Sequence, residues 1–169
     1  MTETRIYIAD LAAYNNGILH GVWVDATLAL DDIQEHINTL LQTSPVDDAE
    51  EYAIHDYEGF EGYRLSEYEG IESAHTVALF IEEYGKLGAE LLDYYSDLEE
   101  AQKAIDERYH GVYDSLEDYA RQFTEDTSTI PEHLAFYIDY ERMGRDWEMS
   151  GDIVSFELSH GEVHVFSGH

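Results

Sequence analysis

Thirty-eight acidic side chains against eight basic ones give this 169-residue chain a formal net charge of −30, and that excess limits its possible folds more than any apolar pattern does. A charge so far from zero opposes compaction by self-repulsion, and it drives away nucleic acid and anionic membranes. The placement of the acids narrows the reading further. Residues 1–62 hold 13 acids and one base, residues 63–110 hold 12 and four, and residues 111–169 hold 13 and three, for net charges of −12, −8 and −10. With no acidic tail or block, the charge belongs to the folded body and not to a solvated extension. A chain that keeps such a surface and still folds is using it, so the question becomes what cationic partner it meets.

The chain has the means to fold. Its 44% hydrophobic content includes 14 Tyr, 6 Phe and 2 Trp, whereas disordered acidic chains are poor in such residues. The absence of cysteine excludes disulfides, thiolate metal sites and cysteine nucleophiles. Met1-Thr-Glu-Thr-Arg-Ile lacks the basic flank and apolar stretch of a signal peptide. No apolar run approaches the roughly 18 residues of a membrane span. A soluble, cytoplasmic protein without membrane association is expected.

The first third reads as α/β. Arg5–Ala9 alternates like a half-buried strand, Asn16-Gly17 is a turn dipeptide or part of a longer loop, and Gly21–Val24 is a second strand. Asp31 or Asp32 is expected to cap a helix with Ile33, Ile37, Leu40 and Leu41 inward, ending before Ser44-Pro45. Glu51–Tyr57 reads as a third strand. The middle is helical: Ile71, Ala74, Ala78 and Ile81 share a face, Gly85 is a stop, and Leu87, Leu91, Leu92 and Tyr95 mark a second helix. Ser96-Asp-Leu-Glu99 has the form of a capping box opening a helix with Leu98, Ala101 and Ile105 inward and a Glu99/Lys103 pair, and a break follows at His110-Gly111. In the last third Ser115 is expected to cap a helix carrying Leu116, Tyr119, Ala120 and Phe123. Pro131 opens another with Leu134, Tyr137 and Ile138, punctuated by Gly144 and Gly151. Residues 152–158 and 162–166 form a hairpin turning near His160-Gly161. The expected fold class is α+β, an elongated chain of three small subdomains: α/β over 1–62, helical over 63–110, and mixed α+β over 111–169.

Motifs for chemistry are scarce. Two placed carboxylates could serve a glycosidase, but chance proximity among 38 is assured and singles out no pair. There is no Gly-x-Ser-x-Gly elbow, phosphate-cradling Gly-Lys-Ser/Thr loop or Gly-x-Gly-x-x-Gly turn. Lys86 and Lys103 are the only lysines for a nucleotide's phosphates. His160, His164 and His169 lack the paired spacing of a zinc site. The acidic stretch Asp48–Gly59 lacks the spacing of a calcium loop, which favours diffuse cation condensation over a dedicated site. No cofactor, metal or catalytic residue is expected. Tyrosines interleave with acids at Asp56-Tyr57-Glu58, Glu67-Tyr68-Glu69, Asp118-Tyr119 and Asp139-Tyr140-Glu141. Either their rings complete a thin core with the hydroxyls wet, or they help an acidic surface fit a pocket made for nucleotides.

Duplex DNA carries one charge per about 1.7 Å of axis, so thirty net charges match about 51 Å of duplex. A compact globule of this length would have a radius of gyration of about 15 Å and a diameter of about 40 Å, so matching DNA's charge density calls for some elongation. A two-fold dimer would double the length, to about 100 Å or about 30 base pairs.

Several segments, in order along the chain, resemble the ArdA antirestriction family, DNA-mimic proteins carried by mobile elements. They are Ile6-Tyr-Ile-Ala-Asp-Leu-Ala-Ala-Tyr-Asn-Asn-Gly17 with Leu19-His-Gly-Val-Trp23, Glu51-Tyr-Ala-Ile-His-Asp-Tyr-Glu58, Tyr137-Ile-Asp-Tyr140, and Gly144-Arg-Asp-Trp147 leading to Ser150-Gly151. Residues 63–110 match by acidity and helical pattern more than by motif. The resemblance implies an elongated, three-part fold and a homodimer pairing through roughly 111–169. It also implies a non-catalytic protein that occupies the DNA-binding groove of type I restriction–modification enzymes in place of B-form DNA. By helical phase, the outward carboxylates expected to stand in for phosphates are Asp32, Glu35, Glu72, Glu82, Glu83, Glu99, Glu100, Asp106, Glu107, Glu117, Asp118 and Glu125. Two other classes remain open on the charge alone: a salt-adapted acidic protein of unrelated function, and an acidic enzyme or cation-binding protein.

Overall fold

Alternation of Ile6 and Ile8 with Tyr7 builds strand β1 (Arg5–Asp10), in which both isoleucines are fully buried on one face. In the computed structural model, which describes residues 3–66 and 69–168, β1 is the centre of an antiparallel sheet. Its neighbours are β2 (Gly21–Asp25) and β3 (Tyr52–Glu58), in the order β2-β1-β3. Ile6 pairs with Val24 on one side and Tyr57 on the other, and a bulge opposite Tyr7/Ile8 leaves His55 unmatched and exposed. Helix α1 (Leu11–Asn15) follows β1 directly, capped by Asp10, and Asn16-Gly17 leads into a loop. Helix α2 (Leu30–Gln42) packs on β1 and β2 with Ile33, Ile37 and Leu40 buried. It has no side-chain cap. Asp31 and Asp32, expected as caps, stand in its first turn, where their charge meets the positive end of the helix dipole.

Helix α3 (Ile71–Tyr95) buries Ala74, Val77, Ala78 and Ile81 before Gly85, and Ala89, Leu91 and Leu92 after it. Gly85 has φ +60° and ψ −140°, so it interrupts the helix as a kink at the position read as a stop. A side chain held at such angles would cost about 1–3 kcal/mol.

The chain divides into two compact units, Met1–Tyr94 and Tyr95–His169. In the second, α4 (Leu98–Lys103) is capped by Asp97, which accepts from the Glu99 amide. Ser96 has φ +58° and is not the cap, so the cap lies one residue later than the sequence pattern places it. Lys103 pairs with Glu100 at 3.7 Å, where Glu99 had been expected. A π-helical turn (Ala104–Arg108) runs straight into β4 (Tyr109–Tyr113). The expected break at His110-Gly111 is therefore a bulge within a strand, irregular enough to hide its alternation.

Helix α5 (Leu116–Thr127) starts at Ser115, whose hydroxyl accepts from the Asp118 amide as expected. Pro131 does not open a long helix. It caps the four-residue α6 (Glu132–Ala135), and the next helix, α7 (Tyr140–Met149), is capped by Asp139. Leu134, Tyr137 and Ile138 therefore share no buried face, and Tyr137 is 83% exposed. Gly144 does not punctuate either. It lies buried inside α7, where a Cβ would stand 2.8 Å from the Leu116 carbonyl oxygen, so its small size sets the approach of α7 to α5.

The hairpin β5 (Ile153–Ser159) and β6 (Glu162–Ser167) joins β4 in the order β4-β6-β5. One sheet face forms a core of Ile153, Val163 and Val165 with Tyr119, against which Tyr113, Leu116 and Trp147 pack. On the other, Phe156 and Phe166 meet edge to face at 5.7 Å, with Tyr109 4.8 Å from Phe166. The class is α+β, as read from the sequence.

Candidate functional site

Of the 37 carboxylate residues described, 29 are exposed and only Asp10 is buried. The first unit holds 20 acids and three bases and the second 18 and five, so their net charges are −17 and −13. Neither unit is the acidic one. Helical phase accounts for part of this distribution, since a buried apolar stripe at i, i+3 and i+4 leaves acids such as Asp32, Glu35, Glu82 and Glu83 to water, and loops and strands carry others such as Asp47, Asp48, Glu61 and Glu157.

The twelve candidate carboxylates divide into two groups. Asp32 and Glu35 on α2, Glu72, Glu82 and Glu83 on α3, Glu99 on α4, Asp106 and Glu107 on the π-helical turn, and Glu125 on α5 are exposed. Glu100, Glu117 and Asp118 are half-buried and ion-paired. Glu100 lies 3.7 Å from both Lys103 and Arg108, and Arg121 holds Glu117 at 3.0 Å and Asp118 at 2.9 Å. These three are already answered by basic side chains of their own chain, whereas the other nine stand exposed. Arg5 bonds Glu58, and Arg142 and Arg145 approach Asp146 and Glu141. At least six of the eight basic side chains are thus paired with acids of their own unit, which leaves a negative excess on both units.

Asp10 and Asp25 are acids of a different kind. Burial pushes the Asp10 carboxyl up, but the Ser44 hydroxyl, the Ala13 and Ala12 amides and the His20 imidazole outweigh it, and its pKa falls below 3.8. Oδ1 accepts from the Ala13 amide at 3.2 Å, while Oδ2 has no hydrogen bond of good geometry. Burial also raises Asp25, and the Thr27 hydroxyl and amide, at 2.6 and 2.8 Å, bring it below 3.8. A folded-state pKa below the unfolded one stabilises the fold above the unfolded value, and that contribution is lost as pH falls through the folded value. Asp10→Ala is expected to cost about 1 kcal/mol at neutral pH through the lost cap, with Asp10→Asn costing less. Urea denaturation at pH 7 and pH 3 should show the Asp10→Ala deficit shrinking at the lower pH. A deficit independent of pH would contradict this role.

His164 Nδ1 meets the Tyr109 hydroxyl at 2.6 Å and its Nε2 lies 3.3 Å from Glu162, His160 is exposed, and His169 lies outside the described residues. Among the described residues no group of three or more His, Asp or Glu side chains is arranged to hold a metal ion. Most of Asp48–Gly59 is strand β3. Of the interleaved tyrosines, Tyr119 and Tyr140 are buried and Tyr57 packs edge-on against Phe60, so these rings serve the core, and Tyr68 lies outside the described residues. No described helix is long and apolar enough to cross a membrane.

Exposed apolar residues escaped the sequence reading. Phe136 is 95% exposed beside Tyr137, and Leu19 is 84% exposed beyond α1. Their local sequences have no amphipathic period, so nothing in spacing marks them as surface.

No curated protein matches the chain. The family model described as antirestriction protein (ArdA) matches residues 6–162, nearly the whole length and both units. The chain belongs to the ArdA family of antirestriction proteins.

Proposed function

We propose that this antirestriction protein acts as a mimic of B-form DNA, entering the DNA-binding groove of type I restriction–modification enzymes and excluding the duplex. The observation that carries the reading is the even coverage by carboxylates: 29 exposed among 37 described, with comparable net charge in both units. A groove that binds duplex must offer Lys and Arg along its length, and a uniformly negative body is drawn to it by the field that draws DNA. Association is steered and fast, and no bond is made or broken. The nine exposed candidates do the work of phosphates. The choice of type I enzymes rests on the resemblance of the chain's motifs to the family, and the site of action is the cytoplasm.

The protein works as a homodimer paired through the C-terminal part. Exposed Phe136, Tyr137 and Met149, all in the second unit, favour that reading, because such apolar side chains cluster at contacts between copies. Sedimentation should give twice the 19.4 kDa chain mass, and Phe136→Asp with Tyr137→Asp should shift it to the monomer. Wild-type protein sedimenting as a monomer would contradict pairing. Function is tested by cleavage of unmodified plasmid by a purified type I enzyme: stoichiometric protein should protect the plasmid in dilute salt, and undiminished cleavage would sink the proposal.

A further inference from the structure

Helix α5 carries Tyr119 and Phe123 one turn apart, so both belong to one face of it. Trp147 comes to them from α7. The three rings form a corner. Trp147 stands steeply to both others, at 76° to Tyr119 with centroids 6.1 Å apart and at 80° to Phe123 with centroids 5.5 Å apart. Tyr119 and Phe123 lie 6.0 Å apart at 39°. Tyr119 is buried, but Phe123 is 43% exposed and Trp147 half-buried, so the corner reaches the surface. There an open cavity of about 340 Å³ is lined by all three rings together with His110, Asp152 and Ser167.

The polar part of this lining is held in place. His110 Nε2 and Ser167 Oγ are 2.7 Å apart, tying β4 to β6. Asp152 precedes β5, its amide donating to the Trp147 carbonyl at 3.0 Å and its carbonyl accepting from the Gly168 amide at 2.9 Å. Its exposed carboxylate accepts from a neutral group, the Ser150 hydroxyl, at 3.1 Å. The five basic side chains of this unit, Lys103, Arg108, Arg121, Arg142 and Arg145, are paired with other acids. Among the described residues, none of them answers Asp152.

An aromatic corner beside an unanswered carboxylate is a site for a cation, because ring faces and carboxylate attract the same charge. The chain makes such ring contacts elsewhere: Arg121 lies 5.2 Å from the Tyr140 ring and Arg5 lies 5.3 Å from Trp23. An apolar occupant would strip water from Asp152 without replacing its hydrogen bonds. Among cations, a guanidinium fits better than an ammonium. It is planar and weakly hydrated, it stacks on rings, and its fork matches a carboxylate.

We infer that this cavity receives the guanidinium of an arginine on a partner protein, stacked on the corner of Tyr119, Phe123 and Trp147 and paired with Asp152. The net charge of −13 on this unit draws basic protein surfaces toward it. A second copy is a poorer source, since it brings the same negative excess and its basic side chains in this unit are already paired. The walls stand ready before the arginine arrives, which lowers the cost of ordering them. Such a pocket serves an arginine-bearing partner whether or not the protein imitates DNA.

The test is titration of the full chain with N-acetyl-arginine amide in dilute salt, followed by tryptophan emission. Trp23→Phe makes Trp147 the sole indole and serves as the background for every variant. Arginine should change the emission to saturation, with a midpoint on the order of millimolar. The matched probes N-acetyl-lysine amide and neutral N-acetyl-citrulline amide should need at least about fivefold more. Asp152→Asn keeps the side chain's volume and should raise the arginine midpoint about tenfold, and Phe123→Leu should raise it about threefold. Melting temperatures of Asp152→Asn and its background should agree, because the exchanged group is exposed. An equal midpoint for lysine would mean diffuse attraction of cations, and an equal midpoint for citrulline would mean an apolar pocket. Either result overturns the inference. So does an arginine midpoint unmoved by Asp152→Asn, or no saturable response at all, as when a second copy already fills the cavity.

Discussion

Exchange of the nine exposed carboxylates Asp32, Glu35, Glu72, Glu82, Glu83, Glu99, Asp106, Glu107 and Glu125 for their amides is expected to weaken inhibition by about three orders of magnitude. Any one exchange alone should weaken it only about two- to threefold. An exposed ion pair contributes about 0.5 kcal/mol, and well-separated sites add, so nine give about 4–5 kcal/mol at about 1.4 kcal/mol per factor of ten. The change takes the net charge from −30 to −21 with no loss of volume or apolar burial. Self-repulsion falls, which opposes the loss of about 0.3–1 kcal/mol at each of the helix N-termini held by Asp32, Glu72 and Glu99. A thermal melt of the variant separates lost inhibition from lost folding. Exchange of the ion-paired Glu100, Glu117 and Asp118 should matter less still for inhibition, because these acids already answer Lys103, Arg108 and Arg121. One exposed exchange that abolished inhibition in a folded protein would point to a specific ligand site instead.

Salt is expected to act with opposite signs on folding and on inhibition. Between about 0.01 and 0.1 M the Debye length falls from about 30 to about 10 Å, which relieves repulsion among the carboxylates and weakens their pull on a distant basic groove. The melting temperature should therefore rise with salt while the affinity for the enzyme falls, by about 10- to 100-fold from dilute to physiological salt. DNA bound to the same groove should weaken more steeply, because it also gives up the benefit of releasing condensed counterions, with a slope of about −0.9 per phosphate contacted. If the protein occupies that groove as proposed, its advantage over DNA should grow with salt. A salt-adapted protein behaves otherwise: it stays unfolded in dilute buffer and needs molar salt. Thermal melts in dilute buffer separate the two.

Strand β1 and helix α2 were legible because Ile6/Ile8 and Ile33/Ile37/Leu40 keep strict periods over lengths that define a face. The gaps fall where structure depends on a single hydrogen bond or on contacts distant in sequence. Asp97 rather than Ser96 caps α4 because Ser96 adopts a left-handed backbone, a choice that two adjacent capping residues leave open in sequence. Gly144 read as a breaker because its reason for being glycine, the Leu116 carbonyl, lies 28 positions away. Strand β4 was missed because its bulge at His110 breaks the alternation. The acidic surface was more legible than the fold, since helical phase places exposed acids wherever the apolar stripe is clear. The pairs of Arg121 with Glu117 and Asp118 and of Lys103 with Glu100 lie at helical spacings that sequence marks, whereas Arg108 reaches Glu100 from eight residues on, beyond those spacings.

That carboxylates take the place of phosphates in one and the same groove is tested most directly by equilibrium competition on a purified type I methyltransferase core. With labelled duplex prebound, titration in dilute salt should displace it completely, and the midpoint should rise in proportion to the duplex concentration, as for two ligands that exclude each other. Displacement that stops at a plateau, leaving enzyme, duplex and protein together in one complex, would place the binding surface outside the groove and contradict mimicry.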